Sequence, residues 1–113
     1  MNEYRELLIG CGHSREKRIH VPGTDVGALG GGWQNLTTLD NNPTCKPNIL
    51  FDLSVSNFIL PEHDNTVDEI HAYEVLEHIS AQGDYLAFFH QFAEFWRILK
   101  HGGYFCATVP DHK

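Results

Sequence analysis

Leu7-Leu8-Ile9-Gly10-Cys11-Gly12 is the stretch on which the fold turns. Three apolar residues running into Gly-x-Gly read as a buried parallel strand whose carboxyl end opens onto backbone bare of side chains. The rest of the chain supplies what such a strand needs. A second strand over 34–40 ends in Asp40, a third over 49–53 carries Asp52, and a fourth over 67–73 runs into Glu74. A helix and a fifth strand over 104–109 follow. The expected architecture is α/β: a Rossmann-like, doubly wound, mostly parallel five-stranded sheet of order 3-2-1-4-5. Function is expected at the carboxyl ends of its strands.

The 113 residues suffice for one domain, spanning 1–113, with its own core. A formal charge of −7 leaves no basic stripe for counterion release, so non-specific nucleic-acid binding is not expected. Arg15, Lys17 and Arg18 stand together in one loop and read as a solvated cluster. Cys11, Cys45 and Cys106 are odd in number and form no CxxC pair, which suits a reducing, cytoplasmic setting. No apolar run approaches membrane-spanning length, and the first residues lack a signal-peptide core.

Residues 13–33 hold Pro22 and a glycine-rich run, and read as an irregular loop lying loosely over the sheet where a crossover helix would stand. Eight residues separate Asp40 from Ile49, too few for a crossover helix. Tyr85, Phe88, Phe89, Phe92, Phe95, Trp96 and Leu99 recur at three- and four-residue steps, which predicts one broad apolar helical face packed on the sheet. Lys100 and His101 are expected beside the last helical carbonyls, with Gly102-Gly103 as the left-handed stop.

At Gly10 and Gly12 a Cβ would occupy space that a ligand needs. Arg15 stands where the dinucleotide fingerprint has its third glycine, which argues against NAD. Asp40 reads either as the acceptor for both hydroxyls of a ribose or as a turn-capping Asp before Asn41-Asn42-Pro43. Asp52 reads either as the acceptor for an adenine amino group or as a loop or N-cap Asp. His71, Glu74 and His78 would share a face of a helix, but 70–73 reads as strand, so no metal site is expected. Cys11 reads as a buried small residue rather than a nucleophile. If a hydroxyl is the acceptor, Glu74, Asp111 and His112 are the candidate bases at the carboxyl edge.

Five blocks in order resemble the class I S-adenosylmethionine-dependent methyltransferases, closest to the methyltransferase-11-like branch. They are Leu-Ile-Gly-Cys-Gly, Leu-Asp-Asn-Asn-Pro, Asn-Ile-Leu-Phe-Asp-Leu, Asp-Glu-Ile-His-Ala-Tyr-Glu-Val-Leu-Glu-His-Ile and Trp-Arg-Ile-Leu-Lys-His-Gly-Gly-Tyr. The resemblance implies S-adenosylmethionine as cofactor and S-adenosylhomocysteine as product. It sets Gly10, Cys11 and Gly12 against the methionine part, Asp40 on the ribose, and Asn41, Asp52 and Leu53 about the adenine. Ala72 and Tyr73 line the methionyl side, with Glu74 at the mouth. The family fold continues into an antiparallel hairpin, so a truncated methyltransferase sheet is expected here. An open fifth-strand edge then predicts a homodimer, the alternative being a fragment or minimal relic of a larger enzyme. The expected activity is methyl transfer to a small-molecule or sugar-type acceptor. The alternatives are an inactive cofactor-binding or assembly module, or another nucleotide-binding enzyme such as a dehydrogenase.

Overall fold

Every strand pairing in the computed structural model is parallel. The structure describes residues 4–19, 21, 32–53, 58–76 and 85–108. β1 (Glu6–Ile9), β2 (Leu36–Asp40), β3 (Ile49–Leu50), β4 (Val67–Tyr73) and β5 (Leu99–Thr108) form one sheet. Their order is β3-β2-β1-β4-β5, and α1 (Tyr85–Ile98) joins β4 to β5. This is the Rossmann-like α/β arrangement expected from the sequence. β1 is central, with Leu7 between Thr37 of β2 and Ile70 of β4. Leu7, Leu8 and Ile9 are all buried, as a strand covered on both faces requires.

The two faces of the sheet differ in chemistry. Leu7, Ile9, Leu39, Ile70 and Ala72 meet Phe58, Leu60, Phe95 and Ile98 in the apolar core. The side-chain period of two sends Glu6, Leu8, Thr38, Glu69, His71 and Tyr73 to the opposite face. Lys17 and Trp33 lie there, against Glu6 and His71. The described part of 13–33 is irregular, as expected, but it is not loosely packed. Lys17 is only 4% exposed, so the basic cluster is not simply solvated.

The helix face is narrower than its spacing predicts. Phe92 and Phe95 pack inward on Phe105. Phe89 and Trp96 point to solvent, at 66% and 80% exposure. The side chains of Tyr85 and Phe88 lie outside the described set. α1 ends at Ile98, and Lys100 pairs with Asp68 at 2.9 Å instead of capping helical carbonyls. A step of two residues in β4, from Val67 to Glu69, is matched by a step of five in β5, from Leu99 to Tyr104, so 100–103 bulge from the ladder. β3 is shorter than expected. Beyond Leu50 the ladder is extended by one bond, Phe51 N donating to Asp40 O at 3.0 Å.

Residues 58–66 dock on α1 through one guanidinium. Arg97 donates to Leu60 O, Glu62 O, Asp64 Oδ1 and both carboxylate oxygens of Glu94. Burial pushes the Glu94 carboxyl up, but the Arg97 bonds and the Leu60 N–H outweigh it and hold it below the usual range. The inner face of α1 also carries Gln91, fully buried, with neither amide atom finding a partner. A buried unsatisfied amide costs about 1–3 kcal/mol. Gln91→Met keeps the volume and removes the polar atoms. It should raise the urea unfolding free energy by about that amount, and a lower midpoint would show that the amide is satisfied in solution.

Candidate functional site

The first turn is shaped by two glycines with different duties. Gly10 N donates to Leu39 O at 2.8 Å, continuing the β1–β2 ladder by one bond. Gly10 has φ +64°, and a Cβ there would lie 2.4 Å from Val75 Cγ2. The space that a side chain would take at Gly10 is thus already filled by Val75. Gly12 has φ +56° and open space around the Cβ position. Of the two glycines of the first turn, Gly12 is the one whose Cβ position is open.

Asp40 plays the turn-capping role that the sequence allows it, and adds a bond to the first turn. Its Oδ1 accepts the Asn42 N–H at 2.9 Å, capping its own turn. Its Oδ2 accepts the Gly12 N–H at 2.8 Å, fastening the β2 terminus to the first turn. With one N–H on each oxygen, the carboxylate retains acceptor capacity for two further donors. Asn41 is exposed beside it, Asp52 is exposed just past β3, and Leu53 is half-buried. Ala72 is fully buried in the apolar core, so its side chain cannot line a cleft. Asp111 and His112 lie outside the described residues.

Residues 13–19 form a strap over this edge. Arg15 donates to Gly12 O and to Cys45 O, at 3.0 and 2.8 Å, and its own carbonyl accepts Trp33 Nε1 at 2.6 Å. The guanidinium thus clasps the first turn to the 3-10 turn Pro43–Cys45 that follows β2. Beneath the strap is a cavity of about 100 Å³ lined by Leu8, Gly10, Cys11, Ser14, Arg18 and Tyr73, with Glu16 at its margin. Arg18 lies over the Tyr73 ring, 5.2 Å from its centroid, and pairs with Glu74 at 2.6 Å. Glu74 takes φ +56°, a conformation that costs a non-glycine residue about 1–2 kcal/mol, and donates its N–H to Thr108 O.

Behind the strap is a buried charge network that the sequence reading missed. Lys17 Nζ lies 2.8 Å from Glu6 Oε2 and 3.5 Å from Glu69 Oε1, all three side chains sealed from solvent. Glu6 Oε1 accepts the N–H groups of Gln34 and Asn35, and Glu69 also accepts from the Tyr4 hydroxyl. A carboxylate only accepts, so His71 donates from Nε2 to Glu69 at 2.6 Å. Its Nδ1 then accepts a hydrogen bond from the Tyr73 hydroxyl at 2.5 Å, while the Tyr73 oxygen accepts the N–H groups of Arg18 and Ile19. The detectable signal was the alternation Glu69-x-His71-x-Tyr73, which puts three polar side chains on one face of an inner strand. Such a face demands buried partners.

Burial lowers the His71 pKa below its ordinary 6.5, against the pull of Glu69. Burial pushes Glu69 up, but bonds from Tyr4 and His71 and the Lys17 charge reverse this and leave it lowered. Desolvation raises the Cys11 thiol, only partly offset by Arg15, so Cys11 stays protonated at neutral pH and is no activated nucleophile. Cys11, Cys45 and Cys106 are free and buried. Among the described residues no helix is long and apolar enough to cross a membrane. Compared with models of protein families, with curated proteins and with solved structures, the chain matches none of them.

Two expectations follow from this geometry. Because the folded state holds His71 neutral and Glu69 ionised, the unfolded chain binds protons more readily. Stability should therefore fall as pH drops below about 6.5, and further through the carboxylate range. Urea midpoints at pH 7.5 and 5.5 check this, and His71→Gln should flatten the first part of the decline. Gly10→Ala combines a left-handed φ with a clash on Val75 and should cost at least about 2 kcal/mol, whereas Gly12→Ala should cost about 1–2 kcal/mol. Equal losses at both positions would mean that Val75 yields.

Proposed function

We propose that this chain binds S-adenosylmethionine across the carboxyl ends of β1, β2 and β4 and transfers its methyl group to a small-molecule or sugar-type acceptor. The observation that carries this reading is Asp40. It ends the strand beside β1 in a 3-2-1-4-5 sheet, points its carboxylate at the first turn, and keeps acceptor capacity next to the open space at Gly12. Ligands of such sheets sit where the strand order reverses, outside the carboxyl ends of adjacent strands. The five-block resemblance to methyltransferases points to the same cofactor.

The residues fit the group in part. Asp40 is suited to the two ribose hydroxyls, and Asn41, Asp52 and Leu53 border the nucleoside side. Gly12, Cys11 and Tyr73 border the side assigned to the methionine, with Ala72 contributing backbone alone. When bound, the sulfonium supplies an already activated methyl group, so the protein's task is chiefly alignment of the acceptor. Glu74 stands at the mouth and is the described candidate for accepting an acceptor's proton, once Arg18 releases it. Asp111 and His112 remain candidates for that role from their place in the sequence. A reducing compartment such as the cytoplasm suits the three unpaired thiols.

One observation favours a second reading, an inactive cofactor-binding or assembly module. The cavity of about 100 Å³ is a fraction of the roughly 300–1,000 Å³ that small-molecule sites enclose. The Arg15 clasp spans the gap between the first turn and the segment after β2. Cofactor binding then requires the strap to lift.

Calorimetric titration with S-adenosylmethionine and S-adenosylhomocysteine tests the proposal. Micromolar binding is expected. Asp40→Ala should weaken it at least about tenfold while the protein stays folded by circular dichroism, and Arg15→Ala should strengthen it. Binding without methyl transfer to any of a panel of hydroxyl, amine and carboxyl acceptors would select the module reading. No binding by the folded wild type and by Arg15→Ala would overturn the methyltransferase reading and leave an assembly module that holds no cofactor.

A further inference from the structure

The outward face of α1 carries a stripe of exposed apolar residues. Leu86, Phe89 and Trp96 are 84%, 66% and 80% exposed, and Ala93 is exposed between them. Their spacing, 86-89-93-96, alternates steps of three and four, the seam with which one helix packs along another. Burial of the sheet cannot explain this seam, because Gln91, Phe95 and Ile98 form the inward face of the same helix. Ile59 extends the patch. It is 72% exposed, and its neighbours Phe58 and Leu60 are hydrogen-bonded to His90 and Glu94 on one flank of the stripe.

We infer that a second copy of this chain covers the stripe, with the two α1 helices packed antiparallel about a twofold axis that crosses the seam midway between Phe89 and Ala93. The stripe is complementary to itself in that orientation and in no need of a different partner surface. Antiparallel seams pair an a position with a d position. Turning the helix about its centre sets Leu86 opposite the partner copy's residue 96 and Phe89 opposite its residue 93. The bulky Phe89 therefore meets the small side chain of an alanine, the large-against-small matching that close packing needs. A parallel pair would stack two Trp96 rings and two Phe89 rings, leaving Ala93 against Ala93.

The area is sufficient. At roughly 150–250 Å² for each large side chain, the exposed parts of Leu86, Phe89, Trp96 and Ile59 amount to about 450–750 Å² per copy. A standard interface buries about 800 Å² per partner, some 65% of it apolar at its core, or about 500 Å². Trp96 near the end of the seam, enclosed by Leu86 of the other copy, is the expected anchor. This interface is distinct from the open edge of β5, which the sequence suggests for pairing. There Tyr104 is half-exposed beside Lys100, His101 and two glycines, a polar and bulged edge unsuited to strand addition.

Sedimentation equilibrium across about 1–200 μM is the test. A reversible dimer is expected, and Trp96→Glu should weaken it at least about thirty-fold. Ala93→Glu should do the same, and Tyr104→Ser at the sheet edge should not. Circular dichroism confirms that each variant is folded, which is expected because these side chains already face solvent. Orientation is read from cysteine variants under mild oxidation. Leu86→Cys mixed with Trp96→Cys should cross-link, and neither variant alone should. A monomer throughout the range, or a dimer indifferent to Trp96→Glu and Ala93→Glu, would overturn the proposal. Cross-linking of a single variant to itself would overturn the antiparallel arrangement.

Discussion

One buried ammonium holds two halves of this protein in register. Lys17 reaches from an irregular segment into the face of a parallel sheet and pairs with Glu6 of β1 and Glu69 of β4. Glu6 and Glu69 are themselves partners across the β1–β4 ladder, so two carboxylates stand side by side out of reach of water. Without a cation between them the face would carry two uncompensated buried charges. Breaking such an arrangement from one side typically costs about 3–5 kcal/mol. The pKa of Lys17 is raised because these carboxylates outweigh the burial that would neutralise it.

From that pairing the rest of the edge follows. Lys17 anchors the middle of the strap, and residues on either side of it are then fixed by shorter-range bonds. Arg15 closes toward β2 through Gly12 and Cys45, and Arg18 closes toward β4 through Tyr73 and Glu74. His71 and Tyr73 carry the link from the Lys17 network to the backbone of the strap itself. Among the described residues it is a polar network that packs on this face. The opposite face keeps the usual solution, with α1 supplying Phe95 and Ile98 to the core.

The arrangement bears on function through the strap's double position. It covers the carboxyl ends of β1 and β4, where a sheet of this order binds its ligands, and it is fastened there by charges of unequal strength. The Lys17 contacts are sealed from solvent, whereas the Arg18–Glu74 pair is half-exposed on both sides and contributes little by itself. The outer fastening is therefore the one that can open without unfolding the sheet. Glu74, held in a left-handed conformation just past β4, has its backbone fixed by the bond to Thr108 O as well as its side chain by the ion pair.

The sequence alone determined the sheet, its order and its acid at the end of β2. Those features are written in local patterns: an apolar triplet broken by Gly-x-Gly, alternation over 67–73, and aspartates at strand ends. It also determined that α1 has aromatic residues at helical spacing, but spacing cannot assign a residue to the inward or the outward side when both sides are apolar. Tertiary structure made that choice, sending Phe95 to the core and Trp96 to solvent. Tertiary structure likewise decided that Gly10 makes room for Val75, that Lys17 is buried, and that Arg15 is a clasp. Each depends on a partner distant in the chain. A contact between residues 17 and 69, or 10 and 75, leaves no periodic trace in the sequence, and only folding brings the two ends together.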